Sequence, residues 1–422
     1  MKDALAPPSA HGPLRVLVAS YRSNPHTGGQ GIYVRALSKA LMEAGCEVTV
    51  VSGPPYPELD DGVALERLPS LDLFAEANAF LALRWGTLFN RADRIEWLAH
   101  NTGAFAEMFS FAWRLDRFVR GSSGRFDVVH DNQTLAPAMT RVDQVLPVIT
   151  TLHHPIAIDR DFAIAGAANW WRRALTTRWH SFVDAQAEAA RRLPRFLAVS
   201  KAARDSYAAR CGVDPAKVTV SLNGVDHDTF SPDASVVREA DHIVTLASAD
   251  VPIKGLDVLI DALALLKARG RAPRLTVIGS LREGPAKRAL ERSGLMNQVT
   301  FRSGLSDAEL VDLYRRAGVF VSASRFEGFG LPAAEAMATG APVIVSDGGA
   351  LPEVAGDAGI VAPAGQPEPL ADALDRVLGD DALRRSMGEA SLKRAQDQFR
   401  WDKHAASAIN LYHDALEARA PA

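Results

Sequence analysis

A repeated alternation of apolar strands and helices is the feature that most constrains how this 422-residue chain folds. Residues 14–20 form the first predicted strand and are almost continuously apolar, as a strand buried on both faces should be. A loop at 26–31 and a helix follow, with Ile32, Leu37 and Leu41 on one apolar stripe. The next strands of this half are predicted at 48–51, 126–130, 148–152, 196–200 and 218–221. Strands separated by helices indicate a parallel sheet that is covered on both faces.

The same alternation restarts after residues 223–233. The strands of the second half are predicted at 242–247, 275–278, 299–301, 319–322 and 342–346. Because the chain is too long for one ordinary core, we expect an α/β fold of two doubly wound, Rossmann-like parallel-sheet domains. The N-terminal domain is expected over residues 1–225 and the C-terminal domain over 226–400. A helix within 401–422 is expected to pack back on the N-terminal domain.

The composition is that of a soluble globular protein, with 47% hydrophobic and 23% charged residues. A formal net charge of −3 gives no global attraction for nucleic acid. Cys46 and Cys211 lack metal-ligand spacing, which argues against a zinc site or a disulfide and fits a reduced compartment. Residues 1–13 lack a signal-peptide core, and no apolar run reaches about 18 residues, so we expect a cytoplasmic protein.

The segment Ser324–Gly340 carries the strongest chemical signal. It follows an apolar strand, and Gly328 and Gly330 allow a tight loop before Pro332, which lies where a helix can begin. Such a helix start offers free backbone N–H groups and the positive end of the helix dipole, which suit a diphosphate.

Two carboxylates flank this predicted anion site. Glu327 precedes it, and Glu335 lies one turn into the helix. Carboxylates accept hydrogen bonds from sugar hydroxyls, so the loop and the two glutamates together complement a nucleotide diphosphosugar. The alternative is a helix charge and a surface carboxylate, which is the usual role of an isolated glutamate. The combination of loop, helix start and spacing favours the sugar nucleotide.

Glu327, seven intervening residues and Glu335 resemble the signature of retaining family 4 glycosyltransferases, which have the GT-B fold. Four further segments are similar to the same family: residues 199–201, 223–226, 254–259 and 340–349. The resemblance extends from about Val16 to the final helices. It implies two Rossmann-like domains that face each other across a deep cleft, with the donor on the C-terminal domain.

By that resemblance, Glu327 contacts the donor sugar hydroxyls and Glu335 holds the ribose hydroxyls. Lys254 matches a donor-phosphate lysine that neutralises charge growing on the leaving diphosphate. Without the resemblance, a lysine in a loop is usually just solvated. The other implied donor contacts on this domain are Arg325, Gly328, Phe329, Gly330 and Leu331.

This sequence departs from the family at one charge. The family generally has an arginine five or six residues before the lysine, whereas Ser248 and Ala249 stand there in this chain. Arg282 and Arg325 are the two candidates to replace that positive charge.

On the N-terminal domain, the resemblance places Gly28, Gly29 and Gln30 against the donor diphosphate and the acceptor. His153 ends a strand, where ligands of open α/β sheets bind, and the family often has a histidine there near the reacting centre. A single histidine at a strand end is otherwise more often structural. The acceptor contacts are expected among four polar residues that close neighbouring strands: His130, Asp131, Asn132 and His154.

The implied reaction is transfer of a sugar, with retention, from a UDP-sugar or GDP-sugar to an acceptor hydroxyl, with His153, Glu327 and Lys254 as catalytic residues. The departing phosphate is expected to take the acceptor's proton. No metal or other cofactor is expected, since the lysine, the helix dipole and the backbone N–H groups supply positive potential. Two alternatives stay open: a nucleotide-sugar epimerase or hydrolase of the same fold, and a non-catalytic protein that binds nucleotide sugars.

Two helical insertions, near residues 70–125 and 155–192, are rich in aromatic residues and arginine. Residues 80–94 are predicted to form one helix with an apolar stripe. These insertions suit an anionic membrane surface, as in a peripheral enzyme that takes a lipid or lipid-linked acceptor at the inner face of the cytoplasmic membrane. The alternative is that the tryptophans fill the core and the arginines are solvated. Four acidic residues dilute the positive face: Asp93, Glu96, Asp116 and Asp184.

Overall fold

The computed structural model describes residues 12–25, 29–76, 78–82, 85, 89–122, 124–247 and 252–420. The chain divides into two compact units. The first contains the chain up to Val199, then Ala203–Ser221 and the segment from Trp401 onward, whereas the second contains Ser200–Ala202 and Leu222–Arg400. The last helix therefore belongs to the first unit, although it follows the second in sequence.

In the described part of the first unit, seven parallel strands form one sheet in the order β3-β2-β1-β4-β5-β6-β7. The strands are β1 Arg15–Ser20, β2 Glu47–Ser52, β3 Ala64–Arg67, β4 Val128–Asn132, β5 Val148–Leu152, β6 Phe196–Ala198 and β7 Val218–Val220. The central strands β4 and β5 are buried along their whole length, which explains their continuous apolar or small-polar sequence.

The helices of the first unit cover both faces of this sheet, as parallel connections require. They are α1 Gly29–Glu43, α2 Arg91–Asn101, α3 Glu107–Gly121, α4 Met139–Asp143, α5 Ile156–Ala165, α6 Trp170–Trp179, α7 Phe182–Arg192, α8 Lys201–Cys211 and, near the chain end, α16 Trp401–Glu417. Helix α16 packs on α1 and reaches β5.

In the described part of the second unit, six parallel strands form a sheet in the order β10-β9-β8-β11-β12-β13. The strands are β8 Glu239–Leu246, β9 Arg274–Ile278, β10 Val299–Arg302, β11 Ala317–Ser322, β12 Val343–Ser346 and β13 Ile360–Ala362. The helices are α9 Leu256–Ala268, α10 Pro285–Ser293, α11 Asp307–Arg316, α12 Leu331–Ala338, α13 Leu351–Ala355, α14 Pro367–Gly379 and α15 Asp381–Gln398. A capping box of Ser306 and Glu309 starts α11.

The predicted strands of both halves are present, but two edge strands were not predicted. β3 reads Ala-Leu-Glu-Arg, with exposed residues at both ends and half-buried residues between them, so it lacks the apolar run that identified the others. β13 is three residues long. Both are short edge strands, whose sequences show the weakest hydrophobic pattern.

Two helix predictions need correction. Helix α1 begins at Gly29, inside the predicted loop, and buries Tyr33 and Val34, whereas Ile32 is 41% exposed. Residues 80–94 do not form one helix: a 3₁₀ turn covers Ala79–Ala82, and α2 begins only at Arg91. No helix among the described residues is both long and apolar enough to cross a bilayer.

Candidate active site

The glycine-rich loop of the second unit joins β11 to α12. Gly330 is the residue before α12 and has φ 102°, a left-handed conformation that glycine adopts without strain. A Cβ at this position would lie 2.7 Å from Leu351 Cδ2, so a larger residue would also displace that leucine side chain. Pro332 lies in the first turn of α12 and has no N–H, and the N–H groups of Ala333 and Ala334 donate to the Gly330 carbonyl at 3.0 and 3.2 Å. The N–H groups of Gly330 and Leu331, which have no partner among the described residues, and the positive end of the helix dipole are what this helix start offers to an anion.

Glu327 is held by a second pair of glycines. Its backbone N–H donates to the Gly348 carbonyl at 3.3 Å, and its carbonyl accepts from Ala350 at 2.9 Å. Gly349 has φ 67°, and a Cβ there would collide with the Glu327 carbonyl oxygen. Only glycine allows these two segments to approach so closely, and this approach fixes the backbone of Glu327.

The carboxylate of Glu327 meets the amine of Lys254. Lys254 Nζ lies 2.8 Å from Glu327 Oε1, and Ser324 Oγ donates to the same oxygen at 2.8 Å. Both side chains of the ion pair are partly exposed, at 29% for lysine and 18% for glutamate. Among the described residues both bonds go to Oε1, so Oε2 remains an acceptor for a ligand hydroxyl. The structure therefore brings together two residues that were predicted to act on the donor.

Glu335 lies on the buried face of α12 and is 9% exposed. Burial, reinforced by the negative charge of Asp307, raises the pKa of its carboxyl to about 8. The buried hydroxyl of Tyr314 has no hydrogen-bond partner among the described residues. Glu335 is thus a largely protonated carboxyl near neutral pH until a ligand supplies hydroxyl donors.

Arg325, a candidate for the missing phosphate arginine, is ion-paired in the second unit. Its guanidinium makes a two-pronged ion pair with Asp257 at 3.0 and 2.8 Å and also bonds to the Pro252 carbonyl. Its contact with the donor phosphate stays a prediction. Arg282 is exposed. Residues 248 and 249 lie outside the described residues.

The other loop residues are fixed by contacts within the second unit. Ser200 Oγ donates to the Gly328 carbonyl at 2.6 Å. Phe329 is buried and packs edge-on against Phe399, with ring centroids 5.8 Å apart. Leu331 opens α12, so its backbone N–H belongs to the anion site described above. These contacts hold the loop in shape before any ligand binds.

In the first unit, His153 follows β5 and is held by Asn132 and Tyr33. Its Nε2 lies 2.6 Å from Asn132 Oδ1, and the ring packs edge-on against Tyr33 at 4.5 Å between centroids. The Asn132 amide nitrogen donates to Ser20 Oγ and to the Gln30 carbonyl, so its oxygen accepts and His153 Nε2 carries the proton. Burial, with nearby His404 and His154, lowers the pKa of His153 to about 3. His153 is therefore neutral at any physiological pH.

Gly29 and Gln30 form the first turn of α1, whereas Gly28 lies outside the described residues. The Gln30 carbonyl accepts from Asn132 at 3.5 Å, so this helix start lies beside the strand ends that carry Asn132 and His153. The predicted first-domain contacts that are described thus lie at one edge of the sheet.

Three of the four predicted acceptor residues are internal: His130, Asp131 and Asn132 are all fully buried. Both ring nitrogens of His130 bond within the protein, to Tyr412 and Thr151. Asp131 accepts from the backbone of Thr134 and from Thr150, and burial raises its pKa to about 6. The side chains of His130 and Asp131 point to opposite faces of β4, and both faces are covered, so as the structure stands neither offers a group to an acceptor.

His154 is partly exposed and bonds to Asp159 at 2.6 Å. The Asn132 amide is occupied by His153, Ser20 and Gln30, so of the four predicted acceptor residues His154 alone is partly exposed. Sequence reasoning did not find Tyr33, Ser324 or Asp257. The only available signal was the placement of Ser324 at the end of a strand, three residues before Glu327.

In the described ranges, no cluster of three or more His, Cys, Asp or Glu side chains is arranged to hold a metal ion.

Two Rossmann-like units, the second with a glycine-bracketed helix start beside a lysine–glutamate pair, are the arrangement of a GT-B glycosyltransferase. Solved structures share this fold. Sucrose-phosphate synthase from Thermosynechococcus elongatus aligns with a TM-score of 0.72 at 22% identity, over 96% of this chain and 100% of its own. WaaG, a glycosyltransferase involved in lipopolysaccharide biosynthesis, aligns with a TM-score of 0.66 at 18% identity, over 93% and 99%.

Sequence comparison identifies the family. The profile described as Glycosyltransferase Family 4 matches residues 27–229, and the profile Glycosyl transferases group 1 matches 228–394. The MMP alpha-(1->4)-mannosyltransferase of Mycolicibacterium hassiacum is 40% identical over 410 residues, covering 96% of this chain and 98% of the relative. A D-inositol 3-phosphate glycosyltransferase of Streptomyces bingchenggensis is 26% identical, covering 96% and 90%. The chain belongs to the family 4, group 1 glycosyltransferases.

Proposed function

We propose that this protein is a retaining mannosyltransferase that moves a mannosyl residue from a UDP- or GDP-linked donor to a 4-hydroxyl, forming an α-(1→4) bond. The observation that carries the sugar and the linkage is the 40% identity, over nearly the full length of both chains, to a relative named for that transfer. A solved structure of the same fold, HepE from Anabaena, was obtained with UDP and glucose and has a TM-score of 0.65 at 16% identity.

The donor site supports this proposal by its chemistry. The start of α12 offers the N–H groups of Gly330 and Leu331 to the diphosphate, and Glu335 lies one turn further along the same helix, where the ribose hydroxyls would need acceptors. Glu327 offers Oε2 to a hydroxyl of the transferred sugar. Lys254, 2.8 Å from Glu327 Oε1, places a positive charge beside the bond that breaks.

In the proposed reaction, the bond between the anomeric carbon and the diphosphate oxygen breaks first and the electron pair leaves with the phosphate. Lys254 and the α12 N–H groups stabilise the charge that develops on this leaving group. The acceptor hydroxyl attacks the oxocarbenium-like carbon from the face that the phosphate leaves, so the configuration is retained. The hydroxyl proton passes to the departing phosphate, which becomes the nucleoside diphosphate. The neutral ring of His153 remains a proposed contact of the acceptor.

Product analysis tests the proposal. The purified protein is incubated with GDP-mannose or UDP-sugars and a mannoside with a free 4-hydroxyl, and the product linkage and anomeric configuration are read by NMR. We expect an α-(1→4) product and its loss in Glu327→Gln, with Glu368→Gln, an exposed glutamate of the same unit, as the matched control. Donor consumption without acceptor would indicate an epimerase or hydrolase. Donor binding without turnover would indicate a non-catalytic binding protein.

We further propose that the two insertions bring the enzyme to an anionic membrane surface that carries its acceptor. Three of the four acidic residues that would oppose this are turned inward. Asp93 and Glu96 are buried and ion-paired with Arg114, and Asp116 is buried against Arg141 at 3.0 Å. Asp184 is exposed and pairs with Arg160 at 3.1 Å, so it alone of the four still dilutes the outer positive face.

Large apolar side chains are exposed on the same insertions. These are Phe80, Leu81, Trp85, Phe89, Leu98, Trp170, Trp171 and Leu175, with exposed fractions between 45% and 83%. Helix α6 has no buried residue, and it carries three arginines without an acidic side chain. The alternative that the tryptophans fill the core is wrong for Trp85, Trp170 and Trp171. Exposed indoles beside arginines complement an anionic lipid surface.

Vesicle binding tests this surface. We expect the protein to sediment with phosphatidylglycerol vesicles at low salt and not with phosphatidylcholine vesicles. Binding should be lost in Arg172→Glu/Arg173→Glu, and it should be kept in Arg376→Glu, an exposed arginine of the second unit. Absence of binding to anionic vesicles at low salt contradicts the proposal, and a stable dimer dissociated by Trp170→Ala would assign the surface to a second copy instead.

A further inference from the structure

A continuous chain of buried hydrogen bonds joins the last helix of the first unit to the strand that ends at His153. Tyr412 OH lies 2.6 Å from His130 Nδ1, and His130 Nε2 lies 2.7 Å from Thr151 Oγ1. Thr151 Oγ1 lies 2.8 Å from Tyr33 OH, which lies 2.8 Å from His404 Nε2. The five residues come from α16, β4, β5 and α1, and all are buried. This chain of hydrogen bonds thus begins and ends on α16.

Counting protons fixes the direction of this chain. Each hydroxyl has one proton, and His130 is neutral with one ring proton, because burial lowers its pKa to about 3. If Tyr412 donates to His130 Nδ1, then His130 Nε2 donates to Thr151. Thr151 in turn donates to Tyr33, and Tyr33 donates to His404. The opposite direction leaves the Tyr412 proton without an acceptor among the described residues. Since an unsatisfied buried donor is costly, the first direction holds.

Tyr33 connects this chain to His153. The edge-on contact of 4.5 Å limits rotation of the imidazole, while Asn132 holds its Nε2. The Tyr33 ring can swing to a new position about χ1 only if its hydroxyl leaves both Thr151 and His404. Thr151 is two residues before His153 on the same strand end. The orientation of the imidazole therefore depends on groups of α16 that do not touch it through hydrogen bonds.

We propose that Tyr33 is a positioning residue for His153, and that α16 sets its position through His404 and the Thr151–His130–Tyr412 branch. The effect on turnover rests on the proposed glycosyl transfer; the effect on the ring of His153 does not. Tyr33→Phe keeps the aromatic ring but removes the hydroxyl, so that Thr151 loses its acceptor and His404 its donor. The phenyl ring is then free to shift, and the imidazole shifts with it.

Two readouts test this role. In Tyr33→Phe we expect kcat to fall by about ten- to a hundredfold, because a misplacement of about 1 Å near the reacting centre has effects of this size. The KM for the donor should stay near the wild-type value, since the donor contacts lie on the second unit. In ¹⁵N-histidine NMR, the His153 ring resonances, assigned by their loss in His153→Gln, should shift or broaden.

Matched variants separate positioning from stability. Tyr412→Phe removes the first donor but keeps the bonds of the Tyr33 hydroxyl to Thr151 and His404, so we expect a smaller effect on kcat. Val119→Ala in α3, a helix that packs mainly on α2 and α4, creates a cavity and should lower the melting temperature with unchanged kcat and His153 resonances. Unchanged His153 resonances in Tyr33→Phe overturn the proposal whatever the turnover. An inactive wild type with shifted resonances would instead overturn only the proposed function.

Discussion

Donor binding should strengthen as the pH rises from 6.5 to 8.5, because Glu335 must lose a proton before it can accept two ribose hydroxyls. Burial raises the pKa of this carboxyl to about 8, so the free protein carries it largely protonated at pH 6.5. Bound hydroxyl donors stabilise the ionised form and thereby lower its pKa. Binding is then coupled to proton release, and the affinity increases with pH up to the pKa of the free protein.

The size of the effect follows from the ionised fraction. A pKa of about 8 leaves about 3% ionised at pH 6.5 and about three quarters ionised at pH 8.5. The dissociation constant should therefore fall by about 25-fold over this range, which corresponds to roughly 2 kcal/mol. His153 does not contribute, because its pKa lies near 3. Burial raises the pKa of Glu107, in the first unit, to about 7. The Glu335→Gln variant described below distinguishes its contribution from that of Glu335.

Titration calorimetry with an intact nucleotide sugar measures this dependence. The phosphodiester groups of the intact donor do not titrate in the range, whereas the terminal phosphate of a nucleoside diphosphate does. Repeating the titration at pH 7 in buffers of different ionisation enthalpy should show release of close to one proton. Glu335→Gln should weaken binding and abolish most of the slope, and Glu368→Gln should keep it. A dissociation constant that is flat with pH in the wild type, or an unchanged slope in Glu335→Gln, refutes the reasoning.

Three further outcomes follow from the second unit. Lys254→Ala should lower kcat by about 100- to 1000-fold in single-turnover assays, since it removes charge stabilisation of the leaving group; a kcat near the wild-type value contradicts this role. Gly349→Ala should lower the unfolding free energy by about 2 kcal/mol or more, because φ 67° is strained for alanine and its Cβ meets a backbone oxygen. Thermal melts compare it with Gly121→Ala, whose Cβ meets nothing. Arg325→Gln and Asp257→Asn should be non-additive, with a coupling of about 1 kcal/mol in a double-mutant cycle; additive losses would show that the pair does not form.

The sequence predicted the elements that have a strong local pattern. Buried parallel strands such as β11 and β12 are apolar or small along their whole length, and the loop before α12 needs glycines at fixed positions. The predicted approach of Lys254 to the loop came from resemblance, not from spacing, because 73 residues separate it from Glu327. No local sequence pattern predicts a contact between residues that are so far apart in the chain.

Partners across the chain account for what was not predicted. The ion pair of Arg325 with Asp257, 68 residues earlier, has no local signal in the sequence. Strand β4 was predicted, but the hydrogen bond between His130 and Tyr412 spans 282 residues and makes an expected surface histidine an interior one. Polar residues at strand ends look alike in sequence, and packing against distant elements such as α16 decides which of them are buried.

Because α16 completes the first unit, this unit is discontinuous in the polypeptide. During synthesis, the ribosome releases the first seven strands long before the helix that covers β5 and α1 has been made. Until then, His130 and Tyr33 have no partners from Tyr412 and His404, and the apolar surface beneath them faces water. The N-terminal half must therefore wait in an unfinished state while the C-terminal half is translated, and the whole enzyme reaches its native form only with its last helix.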